Sequence, residues 1–332
     1  DIQKKTAGTS NFAAGVNAGN SIQSGGNNNV VVGDEAGTGI TTGDSNVAVG
    51  KSALAANTTG YSNTAVGVNT GDAITTGYHN VALGGFALST NITGAQNVAV
   101  GYEALFNNTA NNTTAVGHDS LKGNTSGTGN SAFGYRALTA NTTAANNTAV
   151  GSDSLDANTT GANNTAVGSN ALGANTTAAN NVAVGNGALD ANTTGTQNIG
   201  IGLNALGVNT TASYNVAIGT NALDANTTGA SNTAVGENTL GSNTTAANNV
   251  AVGHVALDAN TTGTSNTAVG KSALTASTTA SNVTGIGYLA LAANTTGAQN
   301  VALGRSAGSA ITTGSNNVCI GYNSQLAAVG DN

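Results

Sequence analysis

Residues 156–185 read DANTTGANNTAVGSNALGANTTAANNVAVG, one phrase stated twice, seventeen residues apart, with small systematic changes. Anchoring on the glycine of N-[TV]-A-[VI]-G carries the phrase from Gly15 to Gly321. Nineteen glycines give eighteen intervals, and all but two have that same length; Gly15 to Gly33 is one residue longer and Gly101 to Gly117 one shorter. The consensus is N-[TV]-A-[VI]-G-x-x-A-L-x-A-N-T-T-[GA]-x-x, positions 1 to 17 of the repeat.

Asn, Thr, Gly and Val are poor helix formers, and the apolar spacing has no 3.6-residue stripe, so a helical array is excluded. Two short apolar segments per repeat, each followed by Gly or Asn, predict two strands and two turns, one coil of a solenoid. The expected fold is all-β, a parallel β-solenoid (β-roll) of about nineteen coils with seventeen residues in each. Residues 1–10 form a lead-in, 11–323 the continuous solenoid and 324–332 a tail or continuation. At about 4.8 Å per coil, such a stack is a rod on the order of 90 Å long.

The composition agrees with a thin core. Only 6% of the 332 residues are charged and 3% aromatic, with 48 Gly and no Pro, Met or Trp. Such low complexity favours disorder unless it is periodic, and this chain places Val and Leu at fixed intervals. A net charge of -7 without a basic cluster argues against nucleic acid and anionic membranes as partners. No apolar run approaches the roughly 18 to 20 residues that span a bilayer, and DIQKKTAGTS has no signal-peptide core, so no membrane insertion is expected of this soluble segment, mature or excised. Cys319 stands where most repeats have Ala and is expected to be a small buried side chain.

Position 1 is Asn in seventeen of nineteen coils, Thr113 and Val283 being the exceptions, and stacked amides can hydrogen-bond along the axis. Asn46, Asn63, Asn80, Asn97, Asn147, Asn164, Asn181 and Asn215 are the expected structural ladder. Position 5 is always Gly, as a turn with positive φ or close backbone approach requires. Position 4 is apolar and position 3 small, so both strand faces look apolar; one would cover the chain's second segment and the other a partner copy. The expected core is Leu155, Leu172, Leu189, Val167 and Val184. Four aberrant coils carry Gly19, Gly37, Gly71 or Gly308 at position 9 in place of Leu and, with it, Ile22, Ile40, Ile74 or Ile311 at position 12 in place of Asn. The swap conserves apolar volume and predicts inward-facing isoleucines beside the gap.

The motif N-T-A-V-G-x-x-A-L-x-x-N-T-T-G-x-x-N resembles the head repeats of YadA-type trimeric autotransporter adhesins and related phage tail-fibre repeats, over residues 11 to about 323. The resemblance implies a left-handed parallel β-roll, three of which pack into an adhesive head or fibre. The familiar head repeat is shorter, and these residues include no neck, coiled-coil stalk or membrane anchor.

Little else carries chemistry. His118 and His254 lie eight coils apart, roughly 38 Å, and with His79 make no zinc cluster. His118-Asp119-Ser120 spells a triad, but adjacent strand residues face opposite sides, so no residue is expected to be catalytic and the chain is read as a non-enzyme. The calcium-binding nonapeptide of other β-rolls is absent, and no metal or cofactor is implied. Asn-Thr-Thr at position 12 is a formal sequon, making Asn158, Asn192, Asn226 and Asn260 candidate glycan acceptors, though a glycan on every coil would crowd. Thr rows also suggest an ice-binding solenoid, a minor alternative because adjacent threonines such as Thr159 and Thr160 diverge.

From Asp156 onward position 10 is Asp in every second coil (Asp156, Asp190, Asp224, Asp258), with Gly at position 15; intervening coils have Gly173, Gly207, Gly241 or Thr275 with Ala. The true unit is a pair of coils. Alternation doubles the spacing of like charges, and duplication of a two-coil unit explains it equally well. The expected function is a structural and adhesive extracellular fibre segment, on a cell surface or virion, self-associating as a homo-oligomer or head-to-tail polymer and meeting a host-surface or matrix ligand. A tail-fibre shaft or an end-to-end filament subunit is the alternative. Neither end has a charged cap, and Lys4 and Lys5 are placed to meet Asp331 in head-to-tail stacking.

Overall fold

The computed structural model describes residues 7–325 and the short strand β1 (Ile2–Gln3). The contacts expected of Lys4, Lys5 and Asp331 lie outside the described residues. Among the described residues there is no helix. The chain divides into two compact units, residues 1–164 and 165–332.

In the first unit β1 runs antiparallel to β2 (Phe12–Ala14), and from β2 through β3 (Val30–Val32) to β10 (Thr148–Val150) each strand lies parallel to the one before it. In the second unit ten parallel strands run in the same way from β11 (Thr165–Val167) to β20 (Val318–Ile320). Position pairs with like position: Thr165 faces Val182, Ala166 faces Ala183 and Val167 faces Val184. Both units are β-solenoids, and the repeat of the sequence is the length of one coil.

Each coil contains one strand of three residues, at positions 2 to 4, where two were expected. The glycine at position 5 stops the strand, with φ between +118° and +144°. A Cβ there would collide with the next coil; at Gly236 it would lie 2.7 Å from the carbonyl of Gly253. Only glycine tolerates both conditions. The second apolar segment is a stack of turns, because the fourteen leucines at position 9 all hold left-handed φ of 50° to 55°. That conformation curls the chain too tightly for a strand, yet its amides still bond from coil to coil, as in Leu172 N–H to Ala188 O (3.0 Å) and Ala174 N–H to Asp190 O (2.9 Å). A left-handed leucine costs roughly 1–2 kcal/mol, and its burial returns about 1.5–3 kcal/mol.

The core is narrow and built from small residues. Position 3 alanine, position 8 alanine and position 9 leucine are buried in coil after coil, Leu155, Leu172 and Leu189 completely so. Val167 and Val184, expected in the core, are not part of it: Val167 is 36% exposed and Val184 half-buried, both on the outer strand face. The reason is width. Where Gly200 occupies position 3, an added Cβ would already sit 3.2 Å from Leu189 Cγ, so position 3 holds a methyl group and the strand must turn position 4 outward. Cys319, also at position 3, is buried.

Ile22, Ile40, Ile74 and Ile311 are all buried. Their Cδ1 atoms take the room of the missing leucine: a Cβ on Gly37 would lie 2.8 Å from Ile40 Cδ1, and one on Gly71 3.0 Å from Ile74 Cδ1. Val31, the one valine at position 3, fits because it reaches the space over Gly19 and Gly37, 2.9 and 2.6 Å from their virtual Cβ atoms.

Leu172→Ala should lower the unfolding free energy by about 2–5 kcal/mol, a cavity cost. Ala171→Ser should cost far less, because Ser154 at the equivalent position donates its hydroxyl to Gly151 O at 3.0 Å. Urea denaturation of both variants checks the pair.

Candidate functional site

Two columns of buried asparagine run through each unit. In the first, at position 1, Asn46, Asn63, Asn80, Asn97, Asn147, Asn164, Asn181 and Asn215 are at most 1% exposed. Asn46 Oδ1 accepts the backbone N–H of Asn63 at 3.0 Å, and Asn63 Nδ2 donates to Gly77 O, later in its own repeat, at 2.8 Å. Thr113 and Val283 keep the backbone half of this pattern, their N–H groups donating to Asn97 and Asn266 Oδ1.

The second column, at position 12, is one the sequence disguises as sequons. Asn192 Nδ2 donates to Asn175 Oδ1 at 3.0 Å and to Gly195 O at 2.9 Å, and Asn209 Nδ2 donates in turn to Asn192 Oδ1. Asn158, Asn192, Asn226 and Asn260 are fully buried, which corrects their reading as glycan acceptors: the amide nitrogen that would carry the sugar is inside the coil, bonded to its neighbours. The two columns meet at position 15, whose carbonyl takes an amide from each. Gly161 O accepts Asn158 Nδ2 at 3.0 Å and Asn147 Nδ2 at 2.9 Å.

Where the second column is interrupted, a polar group is stranded. Asn57 lies between the Ile40 and Ile74 coils, fully buried, and neither of its amide atoms finds a hydrogen-bond partner. Threonine at position 13 is used up locally, its hydroxyl donating to the same position one coil on, as from Thr193 to Thr210 O at 3.1 Å. In most coils the position 14 threonine, such as Thr160, is exposed and the position 13 threonine half-buried, whereas Thr109, Thr125 and Thr312 at position 13 are exposed as well.

The Asp side chains lie close to the glycines of intervening coils. Asp190 leans over the preceding coil, and a Cβ on Gly173 would stand 2.7 Å from its Oδ1; Gly241 makes the same room for Asp258. In the Asp coils, a Cβ on Gly195, Gly229 or Gly263 would run into the carbonyl oxygen of Ala212, Ala246 or Ala280. Asp190 and Asp224 line a shallow cleft of about 210 Å³ with Gly187, Asn204, Gly207 and Val208. Partial burial raises the carboxyls of Asp156, Asp190, Asp224 and Asp258 above their ordinary value, opposed at Asp156 by the Arg136 guanidinium.

The first unit concentrates charge beside its position 6 column. Tyr102, His118 and Tyr135 succeed one another with ring centroids 5.2 and 5.7 Å apart. Next to them Lys122 pairs with Glu103 and, at 3.2 Å, with Asp119, while Arg136 pairs with Asp153 (3.2 Å) and Asp156 (3.4 Å). The hydrogen bond to Glu103 raises both the Tyr102 hydroxyl and the Lys122 ammonium. His118 Nδ1 sits 3.1 Å from Asp119 Oδ2, although the two were expected to face apart; the left-handed Asp119 (φ +57°) makes this a turn, where strand alternation does not apply. Ser120 is buried and its hydroxyl donates to Ala132 O, away from His118. Among the described residues no group of three His, Cys, Asp or Glu could hold a metal ion, and no helix is long and apolar enough to cross a membrane.

The remaining feature is the outer strand face. Val66, Phe133 and Val150 in the first unit and Val167, Ile201, Ile218, Val252, Ile286 and Leu303 in the second are exposed at position 4, joined by valine or threonine at position 2. No protein-family model and no curated protein matches the chain.

Asn192→Ala removes three hydrogen bonds and leaves buried Asn175 Oδ1 without this donor, so it should cost about 2 to 4 kcal/mol, whereas Asn57→Ala should cost under about 1 kcal/mol. Comparing their denaturation midpoints decides this. The aspartates give a pH dependence of unusual sign. Carboxyls raised by folding contribute stability that is complete below the unfolded value of 3.8 and is lost as pH rises through the folded values. The melting temperature should therefore rise on acidification from pH 7 towards 4, and Asp190→Asn/Asp224→Asn/Asp258→Asn should flatten the rise.

Proposed function

We propose that the chain is a segment of an extracellular structural and adhesive fibre, in which copies of this solenoid pack their strand faces together. The observation that carries this reading is the outer strand face. A sheet solvated on one side ordinarily alternates apolar and polar residues, with the polar ones outward. Here the outward residue at position 4 is apolar in every described coil, which leaves in each unit a row of half-buried to exposed Val, Ile, Leu and Phe. Stripes of that extent mark association surfaces. A second copy of the same chain is the natural cover, because its own stripe has the same repeat and stacks coil against coil.

A trimer, as in the YadA-type heads that the repeat resembles, closes three such stripes around one axis and leaves none on solvent. The fixed period, the interior amide columns and the scarcity of exposed charge suit a module whose work is length and rigidity, with ligands met by the surfaces that remain outside. A tail-fibre shaft would use the same packing.

Sedimentation of the full chain should give a multiple of 31.7 kDa, three by this reading. Val184→Asp/Ile201→Asp, both on the outer face, should reduce the mass to that of one chain while the β-sheet circular dichroism is kept. A single-chain mass for the unsubstituted protein would remove the proposal.

A further inference from the structure

In the second unit, position 6 of four consecutive coils reads Lys271, Tyr288, Arg305, Tyr322, a cation and a phenol in strict alternation. All four side chains are exposed. Arg305 Cζ lies 5.6 Å from the ring centroid of Tyr288 and 5.7 Å from that of Tyr322, so the guanidinium is held between two rings. From 259 to 325 the sequence contains no Asp or Glu, and Lys271 and Arg305 are its only charges, a local +2 in a chain of net -7. Among the described residues neither cation has an ion-pair partner. The corresponding column of the first unit, Tyr102, His118 and Tyr135, is flanked by Glu103, Asp119, Asp153 and Asp156, which occupy the cations beside it.

We infer that this column is a binding stripe for an acidic polysaccharide that carries one carboxylate or sulfate per disaccharide. The rings preset the guanidinium by cation–π contact and hold its plane, which leaves its edge donors to meet a carboxylate or sulfate in bidentate fashion. The coil rise sets the match. Successive position 6 residues are about 4.8 Å apart and the two cations about 9.6 Å. An extended β-linked glycan advances by nearly one coil per sugar, so an anionic group on alternate sugars reaches Lys271 and then Arg305. The intervening sugars lie against Tyr288 and Tyr322, whose phenols offer an apolar body with a polar tip. Single-stranded nucleic acid fits less well: it is charged at every residue, would set phosphates against the tyrosines, and meets the repulsion of the whole acidic chain.

The stripe lies beyond the corner glycine from the outer strand face, so the two readings rest on different residues. Calorimetric titration of the full chain at low salt, with its sedimentation recorded alongside, therefore separates the two ideas. The probes are a hyaluronan octasaccharide, chitohexaose as a neutral glycan, and oligo-dT. The hyaluronan octasaccharide should bind, and added salt should weaken it. Arg305→Ala should weaken it by about tenfold, the loss of a charge-assisted bidentate contact. Arg305→Lys and Tyr288→Ala should each weaken it by about threefold, a cation–π or stacking contribution. Tyr102→Ala in the first unit should leave it unchanged, and melting curves verify that each exposed-site variant is folded. No binding of the octasaccharide at millimolar concentration, equal binding of chitohexaose or oligo-dT, or indifference to Arg305→Ala would each overturn the inference.

Discussion

Through most coils the stack rests on the carbonyl at position 15 receiving two buried amides, one from each asparagine column. A single coil has too little apolar volume to hold itself closed, and its interior is alanine with a single leucine. The polar interior supplies what the apolar one lacks. An asparagine amide has two donors and an acceptor, enough to bond within its own coil and to the next at once. A buried amide that lost its partner would cost about 1–3 kcal/mol, so the columns penalise any slip of register. The short strands alone would not fix it, since short flat strands slide readily.

The same constraint explains the departures from the consensus. Inserting Ile40 or Ile74 into the second column fills the space of a missing leucine but cuts the column, and Asn57, caught between them, has no partner. Volume and hydrogen bonding compete for one position, and in those coils volume wins. The paired coils from Asp156 onward show a different accommodation: the carboxyls of Asp190 and Asp258 lie over the glycines at 173 and 241.

The period, the position 5 glycine and the position 1 column were legible in the sequence because each follows from one residue type recurring at one place. Position 12 was harder: Asn-Thr-Thr is also a sequon, and only burial separates an interior amide from a surface acceptor. The faces of the strand were legible as a pair and not singly. Period-two alternation says that Ala183 and Val184 point apart; which one is inside is decided by the width left beside Leu189, a fact of packing. The leucine turn was hidden for a like reason, since a left-handed leucine defies local preference and is held there by burial. The charged column at position 6 was invisible to repeat reasoning because it consists of the residues that do not repeat.

The claim that interior amide columns hold the coils together is tested most directly by hydrogen exchange at the asparagine side chains, followed by NMR. The Nδ2 protons of Asn63 and Asn192, both buried in the columns, should exchange only when the coils open, orders of magnitude slower than those of Asn186, which is exposed at position 6. If Asn63 and Asn192 exchange as fast as Asn186, the columns are not closed and another interaction sets the stack.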